Sequence, residues 1–279
     1  MFWALLFTLC SLALAALPLC LVKMHWALAA LVFVLSFVLA FALLHLLFLA
    51  VARLLTGRVD QTKPLERRVP AAIRAGRAVG DFLGVYGGVR LHVSGEEKLP
   101  AGRFFLVCNH RSLFDPLLML GRLPHWDMAF VSKPENLRIP LVGDLAYALG
   151  VVGIDRENDR AALKAILQTA DYMKRDLCSM GIYPEGTRNR HPEQGLLPFH
   201  AGSFKAAQRA NVPLVICCIR GTEKIMHRLL RRNDVYLDVL EVIPAAEVRA
   251  ASTGELAERA RGLIEGCLAA AGEGESHGE

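Results

Sequence analysis

The sequence predicts an α/β fold, a mostly parallel central sheet flanked by helices and preceded by an N-terminal membrane helical hairpin. Three observations carry that expectation. Two long apolar runs fill the first 55 residues. From Val89 onward, short apolar runs alternate with segments of helical pattern, as in a sheet built from β–α units. His110, Lys133, Arg156 and Glu185 each follow directly on one of the short runs. In a parallel sheet all four would share the carboxyl edge, where open α/β sheets place their ligands.

In chain order, Phe2 to Val22 is apolar throughout, Lys23-Met24-His25 interrupts, and Trp26 to Leu55 is apolar again except for His45 and Arg53. Each run meets the roughly 18 apolar residues that a spanning helix needs. A cleaved signal peptide fits less well, because no basic residue precedes the first run and no small-residue cleavage site separates the two. The expectation is a retained hairpin over 1–55. Pro18 and the short link leave a re-entrant pair in one leaflet open beside a full span. A basic linker and interfacial helix follow over 56–87. The domain over 88–271 is expected to hold strands at Val89–His92, Phe104–Cys108, Met128–Ser132, Val151–Asp155, Gly181–Tyr183, Pro213–Ile219 and Val235–Val242. Helices are expected near Ser112–Gly121, Ile139–Leu149, Asp159–Asp176, His200–Ala210 and Glu255–Ala270, and 272–279 is expected to be a disordered tail.

Charge is unevenly placed. Between Arg53 and Arg77 there are seven basic residues against Asp60 and Glu66, an excess equal to the formal net charge of +5 for the whole chain. A positive cluster just after a hairpin is the expected cytoplasmic flank of a membrane segment and a contact for anionic head groups. It predicts a protein of the cell (inner) membrane whose soluble domain faces the cytoplasm, with membrane lipids as partner and no nucleic acid. The seven cysteines form no C-x-x-C or zinc spacing, as for reduced thiols. Cys108 falls inside an apolar strand, the place of a small core residue.

The chemistry concentrates in two loops. In Asn109-His110-Arg111-Ser112-Leu113-Phe114-Asp115, Asp115 can reach back from the first helical turn to one imidazole nitrogen of His110, fix the tautomer, and leave the other nitrogen as a general base. Ser112-x-x-Asp115 is also a capping-box pattern, and the two roles are compatible. One histidine and one aspartate are too few for a metal, so no metal is expected. In Tyr183-Pro184-Glu185-Gly186-Thr187-Arg188, the guanidinium suits phosphate oxygens, whereas Pro184 and Gly186 alone would make a structural turn. Lys133 either polarises a carbonyl or holds a phosphate, or is simply solvated.

These two strings, in this order, resemble the N-H-x-x-x-x-D and F/Y-P-E-G-T-R loops of the lysophospholipid acyltransferases, specifically the bacterial 1-acyl-glycerol-3-phosphate acyltransferases. The resemblance runs from about Gly88 to Val242. It implies His110 and Asp115 as the catalytic pair, and Glu185, Gly186, Thr187 and Arg188 as acceptor-binding residues. Gly150-Val151-Val152-Gly153-Ile154-Asp155-Arg156 looks like the family's G-x-x-F-x-x-R motif, with Arg156 as a second phosphate contact and Gly153 in place of the usual aromatic. A surface ion pair of Arg156 with Glu157 or Asp159 is the alternative. Val212-Pro213-Leu214-Val215 is similar to the start of a further family motif associated with the acyl chain, and also suits a buried strand.

The implied reaction moves a fatty acyl group from acyl-CoA or acyl-ACP to the free hydroxyl of lysophosphatidate, with no cofactor beyond that thioester co-substrate. Other lysophospholipid or glycerolipid acceptors are the alternative. A non-catalytic membrane protein that binds phosphatidate is a rival of another class, but binding alone requires no oriented base. Lys224–Arg232 has Ile225, Met226, Leu229 and Leu230 at helical spacing among basic residues. That pattern suits an interfacial helix on anionic lipid, a dock for an acyl carrier protein, or an ordinary surface helix.

Overall fold

The computed structural model describes residues 2–22, 25–191 and 194–275. Helices α1 (Phe2–Leu21) and α2 (Trp26–Thr56) pack against each other as the expected hairpin. Part of its link, Lys23-Met24, lies outside the described residues. Both helices are long and apolar enough to cross a membrane. At about 1.5 Å per residue α2 is about 46 Å long, more than a bilayer's hydrocarbon core requires. Its surplus lies along α3 (Pro70–Tyr86), where His45 sits among Phe7, Phe41, Phe82 and Tyr86. The Tyr86 hydroxyl donates to the Ala4 carbonyl at 3.2 Å, and Arg53 pairs with Asp144 at 2.5 Å, so the root of the hairpin is fastened at two points.

Beyond α3 lie seven strands among the described residues: β1 (Val89–Ser94), β2 (Phe105–Cys108), β3 (Met128–Ser132), β4 (Val152–Gly153), β5 (Ser179–Ile182), β6 (Leu214–Arg220) and β7 (Asn233–Ile243). They form one sheet in the order β1-β7-β6-β2-β5-β3-β4. Strands β2 to β6 are mutually parallel, while β7 is antiparallel to β6 and carries β1 parallel to itself. The strand expected over Val151–Asp155 shrinks to two residues, because it pairs only with Val131 and Ser132 at the edge of the sheet.

Both faces of the sheet are covered, which explains the unbroken apolar runs of β2 and β6. Phe105, Val107, Leu214 and Ile216 pack on one face with residues of α5 (Val142–Leu149), α6 (Asp159–Lys174), α7 (Lys205–Ala210), α8 (Ala245–Ala250) and α9 (Thr253–Glu275). Leu106, Cys108, Val215 and Cys217 pack on the other with α4 (Phe114–Arg122) and Ile225.

Two expectations are corrected at the periphery. The last helix continues to Glu275, so the expected disordered tail is helical over 272–275, and 276–279 lie outside the described residues. Lys224–Arg232 is not a helix with one apolar face. A 3-10 turn spans Thr222–His227, with Ile225 buried while Met226, Leu229 and Leu230 point into solvent. The basic cluster after the hairpin is also partly consumed inside the fold. Arg68 is buried against Asp127, Arg77 donates to the Pro124 carbonyl, and Arg53 holds Asp144. Arg58, Arg67 and Arg74 remain exposed.

Candidate active site

The four groups that follow β2, β3, β4 and β5 lie at one edge, because those strands run parallel. At the end of β2, Asn109 replaces a strand pairing with its side chain. Its amide donates to the Ile219 carbonyl at 2.9 Å, and its carbonyl accepts from the Ile219 N–H at 2.8 Å. The chain can therefore leave the sheet at His110 without orphaning the neighbouring backbone.

His110 Nδ1 lies 2.8 Å from Asp115 Oδ2. An ionised carboxylate accepts only, so Nδ1 carries the proton and Nε2 presents its lone pair. The same Oδ2 accepts from the backbone N–H groups of Arg111 at 2.8 Å and Ser112 at 2.9 Å, and Asp115 is 0% exposed. Capping and orientation are thus performed by one oxygen. The reach from Asp115 back to Ser112 N–H is half of the capping box, and the same contact fixes the carboxylate that holds the imidazole.

The second loop closes on the first. The Tyr183 ring stacks on His110 with centroids 4.1 Å apart, and Phe130 stacks behind it at 5.8 Å. Burial, then the charge of Asp115, pushes the Tyr183 hydroxyl well above its ordinary pKa, so it stays protonated. Asn189 N–H donates to the His110 carbonyl at 2.8 Å, which brings its neighbour Arg188 beside the His110–Asp115 loop.

Glu185, expected among the acceptor-binding residues, has another task. It is buried, and its two oxygens accept from His110 N–H at 2.7 Å and Leu197 N–H at 3.2 Å. Burial raises its carboxyl above the ordinary value, against the opposing pull of those two backbone donors. A carboxylate so engaged clamps the two loops together, with a lone pair still open on each oxygen.

Arg156 reaches into this edge from the end of β4. One guanidinium nitrogen donates to the Tyr183 carbonyl at 3.2 Å, and Nη1 is buried without a partner among the described residues. Burial lowers its pKa, with no carboxylate pulling the other way. The surface pair with Glu157 or Asp159 is therefore not formed. Gly186, at φ 76°, turns the loop in the left-handed region, and a side chain there would collide with Arg156 and meet His200 Nε2. Burial, and after it the charge of Arg156, lowers the His200 imidazole below its ordinary value. At Gly153, Leu137 and Pro134 stand where the missing aromatic would begin.

Thr187 and Lys133 are exposed at the same edge, and Arg188 is half-buried. Sequence reasoning had no signal for Tyr183 as a stacking partner or for His200, since both positions depend on how the loops fold. The thiol of Cys108 is buried and pushed well above its ordinary range by that burial, as a core residue should be.

Fold and site define an α/β protein with an oriented imidazole and an unpaired guanidinium at the carboxyl edge of a mostly parallel sheet. A family model described as Acyltransferase matches residues 90–220, the part that contains this edge. A 1-acyl-sn-glycerol-3-phosphate acyltransferase of Escherichia coli is 31% identical over 165 residues, covering 59% of this chain and 66% of that one. The enzyme of the same name from Saccharomyces cerevisiae is 26% identical over 177 residues, with 62% and 58% covered. The crystal structure of the LPA acyltransferase PlsC of Thermotoga maritima superposes with a TM-score of 0.54 at 24% identity, over 77% of this chain and 86% of that one, and shares the fold. Over residues 90–220 the chain is similar to the acyltransferases. It spans about three fifths to two thirds of the length of these curated relatives.

Proposed function

We propose that the protein is a membrane-anchored acyltransferase that esterifies the free sn-2 hydroxyl of lysophosphatidate, using acyl-CoA or acyl-ACP as donor, to give phosphatidate. The observation that carries this reading is the His110–Asp115 bond, set beside the partnerless Nη1 of Arg156 on one sheet edge. Nε2 of His110 removes the hydroxyl proton as the alcohol oxygen attacks the thioester carbonyl. The tetrahedral intermediate expels the thiolate, which takes the proton back from the imidazolium, leaving an ester, a free thiol and a neutral histidine. Asp115 stabilises the transient imidazolium.

Arg156 and Arg188 hold the acceptor phosphate, and a phosphate supplies the partner that the buried Nη1 of half-buried Arg156 lacks among the described residues. Glu185 acts through His110 by setting the position of its backbone. Lys133, exposed at the same edge, is available to the thioester carbonyl or a donor phosphate. The hairpin keeps the site at a membrane surface, where both acyl chains reside, and the exposed basic residues Arg58, Arg67 and Arg74 beside it support a cytoplasmic orientation.

The test is incorporation of labelled acyl groups by the purified protein. Lysophosphatidate should be acylated in preference to glycerol 3-phosphate, unphosphorylated lipid alcohols and lysophospholipids with substituted phosphates. His110→Ala should lower kcat by about 10²–10⁴. Turnover retained in that variant, or a preference for an acceptor without phosphate, contradicts the proposal.

A further inference from the structure

Between β6 and β7 lies a knuckle, Thr222–Arg232, that the reaction leaves unused. It sits at the carboxyl edge, because β6 ends there and antiparallel β7 begins there. Met226, Leu229 and Leu230 are 62%, 53% and 79% exposed. His227, Arg228, Arg231 and Arg232 are exposed between and beside them. Arg232 pairs with Asp234, whereas Arg228 and Arg231 carry their charges without an ion pair among the described residues.

This exposure is built rather than slack. Ile225 is fully buried at the base. The side-chain amide of buried Asn233 donates to the carbonyls of Gly87 at 2.6 Å, Arg228 at 3.0 Å and Arg231 at 3.0 Å. Leu230 N–H donates to the Tyr86 carbonyl at 2.8 Å, and the Arg231 backbone presses so closely on Gly88 that a side chain there would collide with it. Leu230 is held at φ 61°, a region that disfavours any residue with a Cβ. The fold thus strains its backbone to hold an aliphatic side chain in water, where that side chain gains nothing.

Its surroundings name the partner. Tyr86, which receives the Leu230 N–H, also binds Ala4 and packs on Phe41 and His45, so the knuckle adjoins the root of the hairpin. On its other side Glu223 pairs at 3.5 Å with Arg111, the residue after His110, and Leu113 of that loop is 58% exposed. Aliphatic tips flanked by free arginines, continuous with a membrane helix, are what a segment lying in an anionic lipid interface presents.

We propose that the knuckle is a second membrane-contact site. Met226, Leu229 and Leu230 enter the boundary between head groups and acyl chains, and Arg228 and Arg231 bind lipid phosphates. The hairpin tethers the protein, and the knuckle turns the carboxyl edge toward the lipid. This rests on the membrane-anchored reading above.

The full-length protein in vesicles of phosphatidylglycerol and phosphatidylethanolamine carries the test. In Leu229→Trp, brominated acyl chains should quench the added fluorescence, whereas Leu167→Trp, 47% exposed on α6, should be unaffected. Met226→Ser/Leu229→Ser/Leu230→Ser and, separately, Arg228→Glu/Arg231→Glu should each raise KM for vesicle-borne lysophosphatidate about tenfold. Their kcat, and their turnover of a monomeric short-chain lysophosphatidate, should match the parent. Absence of quenching at position 229 overturns the proposal whether or not acyl transfer occurs. Quenching in a protein without transferase activity would uphold the knuckle and defeat the acyltransferase reading alone. Loss confined to acyl-ACP as donor, with acyl-CoA turnover intact and no quenching, would overturn the proposal by assigning the knuckle to the carrier protein.

Discussion

At the amino edge of the sheet, Arg68 donates to Asp127 at 2.7 Å and to the Leu149 and Met128 carbonyls, while Arg103 holds the other oxygen of Asp127 at 2.9 Å and reaches Asp176. Burial works to raise the Asp127 carboxyl, but Arg68 and Arg103 outweigh it and hold it below its ordinary value. At the carboxyl edge, Arg156 is half-buried, yet its enclosed Nη1 has no partner among the described residues, and burial alone shifts its pKa. One edge matches its buried guanidinium with a carboxylate; at the other, Arg156 meets no carboxylate among the described residues, as the proposed phosphate contact requires. A buried guanidinium with a matched carboxylate serves the fold, whereas an enclosed guanidinium nitrogen without a match costs stability.

The same substitution at the two edges should therefore have opposite effects. Arg68→Met, which strands Asp127 and two carbonyls, should cost about 3 kcal/mol of stability, read as a lowered Tm in detergent, with kcat per folded molecule unchanged. Arg156→Met should leave Tm unchanged or raise it, while raising KM for lysophosphatidate about tenfold to a hundredfold. A fall in Tm for both would erase the distinction between the edges.

Glu185 stands between these cases, a buried carboxyl group without an ion pair among the described residues that positions the His110 backbone. Glu185→Gln places a donor where two backbone N–H groups need acceptors, and should lower kcat about tenfold with little change in acceptor KM. Because the folded carboxyl is raised, its contribution to stability is complete below the ordinary carboxylate value and is lost as pH rises through the folded value. The parent's Tm should fall over that acid range relative to the Gln variant, in a thermal-shift series across pH. The smallest effect belongs to His200. With its imidazole lowered by burial and by Arg156, His200 gains its proton only on the acid side of the ordinary histidine value, so the acceptor KM should rise a few-fold as pH increases through that acid range, and His200→Gln should flatten the rise.

How much of this was legible depended on distance along the chain. β3 matches its expected span, because an apolar run covered on both faces announces itself locally. The His110–Asp115 pair was legible for the same reason, since both partners lie within one strand-to-helix turn. The clamp made by Glu185 was not legible, because its partner, the His110 backbone, is 75 residues away and meets it only through the pairing of β2 with β5. The structural role of Arg68 within the basic cluster was hidden likewise, as it finds Asp127 across 59 residues. At Ile225, Met226, Leu229 and Leu230 the helical spacing was real but the helix is not, because Asn233 and the close approach at Gly88 draw the backbone into a knuckle.

The central claim is that Asp115 serves the reaction by orienting His110, and a double-mutant cycle on kcat addresses it directly. Asp115→Asn and His110→Ala should each lower kcat severely, and the double variant should turn over no more slowly than His110→Ala alone, since the aspartate has nothing left to orient. Losses that simply add, with the double variant slower by the product of the two single effects, would contradict the account.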